Sequence, residues 1–221
     1  MTVRVAVVGA GSMGKNHARV LQSLPGAELV AVVDSDLATA RGVSHLHGGK
    51  AHTALADALA SRVDAAIVAV PTQHHYETTK TLLAAGVHVL VEKPIAATVD
   101  EARSLGEIAR REKRVLAVGH VERFNPAIQL LARKLAEGAL GRVLEVRARR
   151  VGPFPARIRD VGVALDRREE GLELSAEGLD LPHEELGHRA LAHAAEHAHL
   201  RPSDRRRVGV LVEVEILREV V

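Results

Sequence analysis

Residues 5–14 read Val-Ala-Val-Val-Gly-Ala-Gly-Ser-Met-Gly, and Asp34 follows Gly14 by 20 residues, closing a second apolar run, Leu29-Val30-Ala31-Val32-Val33. The spacing fits a dinucleotide-binding βαβ unit, and each residue has a physical task. Gly9 permits a tight strand-to-helix turn. Gly11 lacks a side chain, so backbone can approach a pyrophosphate. Gly14 lets the helix lie close to the strand. The pyrophosphate is then expected on the free N–H groups and positive dipole end of the helix that opens at Ser12 and Met13. Asp34 can accept hydrogen bonds from both hydroxyls of an adenosine ribose, and its charge would repel a 2′-phosphate. NAD is therefore favoured over NADP.

The rest of the composition narrows the class. The chain has 221 residues, 47% of them hydrophobic, which suffices for a sizeable core. Tyr76, Phe124 and Phe154 are its only aromatics, so that core is built from Val, Leu, Ile and Ala. The formal charge is +2 with both signs interspersed, and no basic stripe carries interleaved aromatics for base stacking. A nucleic-acid partner is not expected. Cysteine is absent, which excludes disulfides, thiolate metal sites and a Cys nucleophile and fits a reducing cytosol. A strand begins almost at the N-terminus, so no signal peptide is read there. The apolar runs are too short to span a bilayer. The expected location is cytoplasmic.

Strands and helices alternate to residue 120. The pattern predicts strands at Val3–Val8, Glu28–Asp34, Val63–Val70, Val87–Glu92 and Arg114–Gly119. Helices are predicted over Met13–Leu24, Asp36–His45, Thr53–Ser61, His75–Ala85 and Asp100–Glu112, the last with Asp100 as N-cap. Near-continuous apolar strands between amphipathic helices indicate an α/β fold, a Rossmann doubly wound parallel sheet with both faces covered. Such a sheet binds its ligand beyond the C-terminal strand ends. A helix over Pro126–Glu137 and an alternating strand over Arg142–Val151 then open a second domain. The expected division is 1–120, a dinucleotide-binding domain, and 121–221, a partial α+β domain for substrate and oligomerisation.

Further motifs accompany the glycine loop. They are Gly9-x-Gly11-x-Met13-Gly14-x-x-His17, Pro71-Thr72-x-x-His75, Glu92-Lys93-Pro94 and Gly119-His120. Together they resemble the glucose–fructose oxidoreductase/inositol dehydrogenase (Gfo/Idh/MocA) family over about residues 1–166. A narrower resemblance, to the branch of UDP-N-acetylglucosamine 3-dehydrogenases, rests on Gly119-His120-Val121-Glu122-Arg123-Phe124-Asn125-Pro126. It rests also on Arg149-Arg150-Val151-Gly152-Pro153-Phe154-Pro155 and Arg157-Ile158-Arg159-Asp160-Val161-Gly162. That branch oxidises a sugar-nucleotide hydroxyl to a ketone. The resemblance implies that Lys93, flanked by Glu92, sits between nicotinamide and substrate. An ammonium beside a cationic nicotinamide binds its proton less tightly, so Lys93 could take or relay the hydroxyl proton. Alone, Lys93 would read as a solvated strand-end lysine. The family's Lys-Pro peptide is often cis, which would aim the lysine. Pro71, Thr72 and His75 would line the cofactor's path, although His75 alone reads as an exposed histidine at a helix start. Arg123 and Asn125 could hold a diphosphate or sugar hydroxyls. Asn125 before Pro126 is equally a good N-cap. Arg157 and Arg159 would meet substrate phosphates, or form a solvated strand edge.

The resemblance then breaks. The family continues Asp-x-Gly-x-His-x-x-Asp, with the histidine facing the reacting hydroxyl. Asp166 matches the first acid, but Arg168, Glu170 and Glu173 stand where Gly, His and Asp belong. From Arg167 to Val221 there is no Lys, Asn, Gln, Thr, Met or aromatic residue. A bias beginning where a motif fails points to out-of-frame translation of a GC-rich gene; a genuine variant with a shortened second domain is the rival. Completing the family's second sheet would take roughly a hundred residues more. His193-Ala194-Ala195-Glu196-His197 fits the H-x-x-E-H zinc-protease pattern, but this tail holds five histidines and offers no assigned third ligand. It reads as the polar face of a surface helix, and no metal is expected. The expected activity is a truncated, impaired NAD-dependent sugar or sugar-nucleotide oxidoreductase that forms a homo-oligomer through its open sheet. The alternative is a non-catalytic dinucleotide-binding module that senses cofactor or partners another subunit.

Overall fold

The computed structural model describes residues 1–139 in full and the backbone of 143–151, 172–175 and 211–218. Two units divide the chain, Met1–Gly119 and His120–Val221.

The first unit alternates strand and helix: β1 Val3–Val8, α1 Ser12–Ser23, β2 Ala27–Val33, α2 Leu37–His47, β3 Lys50–His52, α3 Leu55–Leu59, β4 Ala65–Val68, α4 His75–Ala84, β5 His88–Val91, α5 Val99–Arg111 and β6 Leu116–Val118. All strand pairs are parallel, in the order β3-β2-β1-β4-β5-β6. The order reverses between β1 and β4, and a doubly wound sheet opens its ligand crevice at such a switch point.

Side-chain alternation sends successive residues of a strand to opposite faces, interrupted in β2 by a register irregularity between Leu29 and Ala31. Ala6, Val8, Ala31, Val33, Ala66, Val68, Val89 and Val91 meet Leu82 and Leu83 of α4 and Leu105 and Ile108 of α5. Val5, Val7, Leu29, Val32 and Ile67 meet Ala18 and Leu21 of α1 and Ala40 and Val43 of α2. Both faces are therefore covered, which explains the unbroken apolar runs. Each fully buried Leu or Val contributes about 1.5–3 kcal/mol through its removal from water.

Two expectations are corrected. Strand β3 was not foreseen: its Lys50-Ala51-His52 is a three-residue edge strand with no apolar pattern. The N-cap of α5 is Thr98, not Asp100. The Thr98 hydroxyl accepts from the Glu101 N–H at 3.2 Å, and the Glu101 carboxylate accepts from the Thr98 N–H at 3.1 Å. This reciprocal box satisfies two end groups, while Asp100 lies in the first turn and adds only charge there.

The second unit opens with a 3₁₀ turn, Val121–Phe124, and α6, Pro126–Ala136. Strands β7 Val143–Val151, β8 Leu172–Ser175 and β9 Leu211–Arg218 form an antiparallel sheet in the order β8-β7-β9.

Candidate functional site: the C-terminal edge of the parallel sheet

The glycines after β1 are shaped by contact. Gly9 has φ +92°, and a Cβ on it would lie 2.5 Å from the Ala69 carbonyl oxygen, at the end of β4. The turns following β1 and β4 thus touch at the switch point. A Cβ on Gly14 would fall inside the Gly9 carbonyl oxygen. Gly11 is different: nothing lies within 4 Å of where its Cβ would be. The protein itself does not require glycine there, which fits a position kept bare for a ligand. Gly11 caps α1 without a side-chain bond. The N–H groups of Ser12, Met13 and Gly14 precede the first intrahelical donor, the Lys15 N–H, which reaches the Gly11 carbonyl at 2.9 Å, so they have no acceptor within the helix and can meet an external one.

Asp34 follows β2 and is tied to this loop. Its Oδ2 accepts from the Ala10 N–H at 2.7 Å and its Oδ1 from the Asp36 N–H at 3.0 Å, while its own N–H donates to the His52 carbonyl at 3.1 Å. Each carboxylate oxygen keeps further lone pairs. The glycine loop and the acid at the end of β2 therefore form one structure. They fit an adenosine diphosphate moiety.

Residues 3–120 match the family described as GFO_IDH_MocA, an oxidoreductase family with an NAD-binding Rossmann fold. The chain belongs to this family. It is 35% identical over 173 residues to UDP-N-acetylglucosamine 3-dehydrogenase of Acidithiobacillus ferrooxidans, covering 78% of this chain and 53% of that protein. It is 32% identical over 143 residues to inositol 2-dehydrogenase of Rhizobium meliloti, covering 65% of this chain and 43% of that one. The crystal structure of GenD2 from gentamicin A biosynthesis in complex with NAD superposes with a TM-score of 0.67 at 35% identity, over 70% of this chain and 45% of that one. The chain spans about half the length of the curated relatives it matches.

Within this Gfo/Idh/MocA Rossmann unit the other expected residues divide into two groups. Pro71 is exposed, and Thr72 opens a 3₁₀ turn, Thr72–His74, on the rim after β4. Lys93 is exposed just after β5, and its charge helps to favour the ionised form of the neighbouring Glu92 carboxyl. The Lys93–Pro94 peptide is cis. His75 and Glu92, by contrast, sit beneath the rim. His75 is only 1% exposed, and its ring lies 2.7 Å from the Pro94 carbonyl through Nδ1 and 2.9 Å from the Val70 carbonyl through Nε2. It is therefore not an exposed helix-start residue: a backbone carbonyl lies against each ring nitrogen.

Glu92 is similarly engaged. Its Oε1 accepts from His17 Nε2 of α1 at 2.7 Å, and its Oε2 accepts from the Lys93 N–H at 3.3 Å. A Cβ on Gly119 would lie 3.2 Å from Oε2, so the last residue of the unit leaves room for the carboxylate. His17 was not among the expected site residues. The available signal was its place three residues after Gly14, on the same side of α1. The His17 hydrogen bond, against an opposing desolvation, holds the Glu92 carboxyl below its ordinary value of 4.5. A depressed carboxyl stabilises the fold above pH 4.5, and that contribution is lost as pH falls through the lower folded-state value. His17→Ala should therefore cost roughly 1–2 kcal/mol at neutral pH. It should also move the acid-unfolding transition, followed by circular dichroism, to higher pH. Superimposable transitions would rule this out.

In the second unit Arg123 is exposed. Asn125 is the N-cap of α6: Oδ1 accepts from the Ala127 N–H at 3.0 Å, and Nδ2 donates to Glu122 at 2.9 Å. Its amide is thus occupied at both ends. Arg157, Arg159 and Asp166 lie outside the described residues, as do Arg168, Glu170 and the His193–His197 segment. Glu173 falls on β8. Among the described residues no His/Cys/Asp/Glu group could hold a metal ion, and no helix is long and apolar enough to cross a membrane.

Proposed function

We propose that this chain binds NAD(H) and acts on a sugar or sugar nucleotide of the UDP-N-acetylglucosamine 3-dehydrogenase kind, with impaired turnover. The observation that carries the binding reading is the bond between the Asp34 carboxylate and the Ala10 N–H of the glycine loop. It supports reading Asp34 as the ribose-binding acid, because it ties that carboxylate to the loop proposed to cradle the pyrophosphate. The N–H groups of Ser12, Met13 and Gly14 hold the diphosphate, Asp34 holds the ribose diol, and Pro71 and Thr72 border the path toward Lys93. Held there, NAD⁺ would supply the hydride acceptor for the carbon that bears the hydroxyl. Lys93 takes the hydroxyl proton. Arg123 and Asn125, with Arg157 and Arg159, are the candidates for holding substrate.

Similarity to a sugar-nucleotide dehydrogenase favours the nucleotide sugar as substrate, and similarity to an inositol dehydrogenase keeps a free polyol as the coarser class. Impairment follows from the broken motif after Asp166, where Glu170 replaces the histidine that resemblance sets against the reacting hydroxyl. Loss of one positioned acid–base group typically lowers rate by about 10²–10⁴. Self-association through the sheet of the second unit belongs to this reading.

The second reading, a non-catalytic dinucleotide-binding module, rests on the same departure. Calorimetric titration with NAD and an absorbance assay at the NADH band with UDP-N-acetylglucosamine separate the two. Binding with slow but measurable NADH formation supports the dehydrogenase; binding without turnover supports the module. Absence of NAD binding defeats both.

A further inference from the structure

The Glu92-Lys93-Pro94 segment is held from both sides by histidines on different helices. His17 of α1 bonds the Glu92 carboxylate, whose other oxygen accepts from the Lys93 N–H. His75 of α4 reaches the Pro94 carbonyl, and its second nitrogen reaches the Val70 carbonyl after β4. The residue before Lys93 and the residue after it are therefore each fixed to a helix, while Lys93 itself is exposed. The two contacts differ in chemistry. A carboxylate only accepts, so His17 meets it with an N–H at Nε2. Carbonyls also only accept, so a neutral His75 ring donates to one of its two carbonyls and the doubly protonated ring donates to both. Neither histidine is at the surface: the His17 and Glu92 side chains are 19% and 13% exposed, and His75 is 1% exposed. Hydrogen bonds at such depth are costly to leave unmade, so they hold their partners in one geometry. Gly119, with no side chain, leaves the carboxylate the space it occupies in this arrangement.

We propose that His17 and His75 are positioning residues that act as a pair, holding the Glu92 carboxylate on one side of Lys93 and the Pro94 backbone on the other and so fixing the direction in which its ammonium projects. This rests on the reading of Lys93 as the proton-accepting group. Neither histidine needs to touch cofactor or substrate. A side chain with four rotatable bonds carries large rotamer entropy, and fixing its backbone origin is what allows so flexible a group to act at a defined point.

The test uses the full chain with its lysines ¹³C-dimethylated and the Lys93 resonance assigned by its absence from Lys93→Arg. Adding NAD⁺ is expected to displace that resonance in the unaltered chain. In His17→Ala and in His75→Leu the displacement should shrink by half or more, while NAD affinity falls far less than in Asp34→Ala. His17→Gln and His75→Gln, which retain an N–H donor, should restore most of it. Full displacement in both the Ala and Leu variants overturns the clamp. So do Gln variants that behave no better than Ala and Leu, because side-chain volume alone would then account for the effect. If His75→Leu does not fold, the His17 variants and His75→Gln decide the matter. If NAD⁺ displaces nothing in the unaltered chain, the reading of Lys93 fails instead. The clamp is then judged by hydrogen exchange of the Lys93 amide, which should accelerate in His17→Ala; an unchanged rate rejects it.

Discussion

Gly14→Ala should cost about 3 kcal/mol of folding stability in urea unfolding and abolish measurable NAD binding. The added Cβ would occupy the position of the Gly9 carbonyl oxygen. That oxygen is backbone, and Gly9 is fixed in turn: its N–H donates to the Val33 carbonyl at 2.8 Å, and the Ala69 carbonyl abuts it. Neither neighbour can swing aside as a side-chain tip could. The start of α1 must lift from β1, and its N–H groups then leave the place where a pyrophosphate would meet them. Gly42→Ala is the control. It lies inside α2 with nothing within 4 Å of its Cβ position. Alanine there should stabilise the protein by about 0.5–1 kcal/mol by lowering the entropy of the unfolded chain. Equal stabilities for the two variants would refute this account of the turn.

Asp34→Ala should weaken NAD binding by about 3 kcal/mol, a factor of roughly 100. Under the proposed role of Asp34, two charge-assisted hydrogen bonds to the ribose would be lost, and the Ala10 N–H loses the acceptor that holds the glycine loop. NADP binding should suffer less, because removing the carboxylate also removes its repulsion of a 2′-phosphate. The preference for NAD over NADP should therefore narrow sharply in parallel calorimetric titrations of both cofactors. A preference unchanged in the variant would show that another group discriminates between them.

The residues most legible in the sequence are those whose role is local. The runs Val5–Val8 and Ala65–Val68 announce strands because both faces are buried, and the glycines are fixed by turn geometry within a few residues. Strand β3 escaped because pairing with β2, rather than its own composition, makes it a strand. Thr98-x-x-Glu101 was a readable cap, but Asp100 offered a competing carboxylate one turn-position away. The pairing of His17 with Glu92 spans 75 residues. That distance closes only when α1 settles beside the end of β5, and no periodicity encodes it. The reading of His75 as an exposed histidine failed for the same reason: helix-start position is local, whereas burial against the Pro94 carbonyl is tertiary.

The backbone bonds on both oxygens of Asp34 have a thermodynamic consequence. The carboxylate already holds one rotamer, between the Ala10 and Asp36 amides, before any ligand arrives. Immobilising a free side chain on binding ordinarily costs about 0.5–1.5 kcal/mol. Here folding has already borne that loss. The adenosine end of a dinucleotide would meet a preorganised anion, and the conformational entropy still to be surrendered would lie with the ligand.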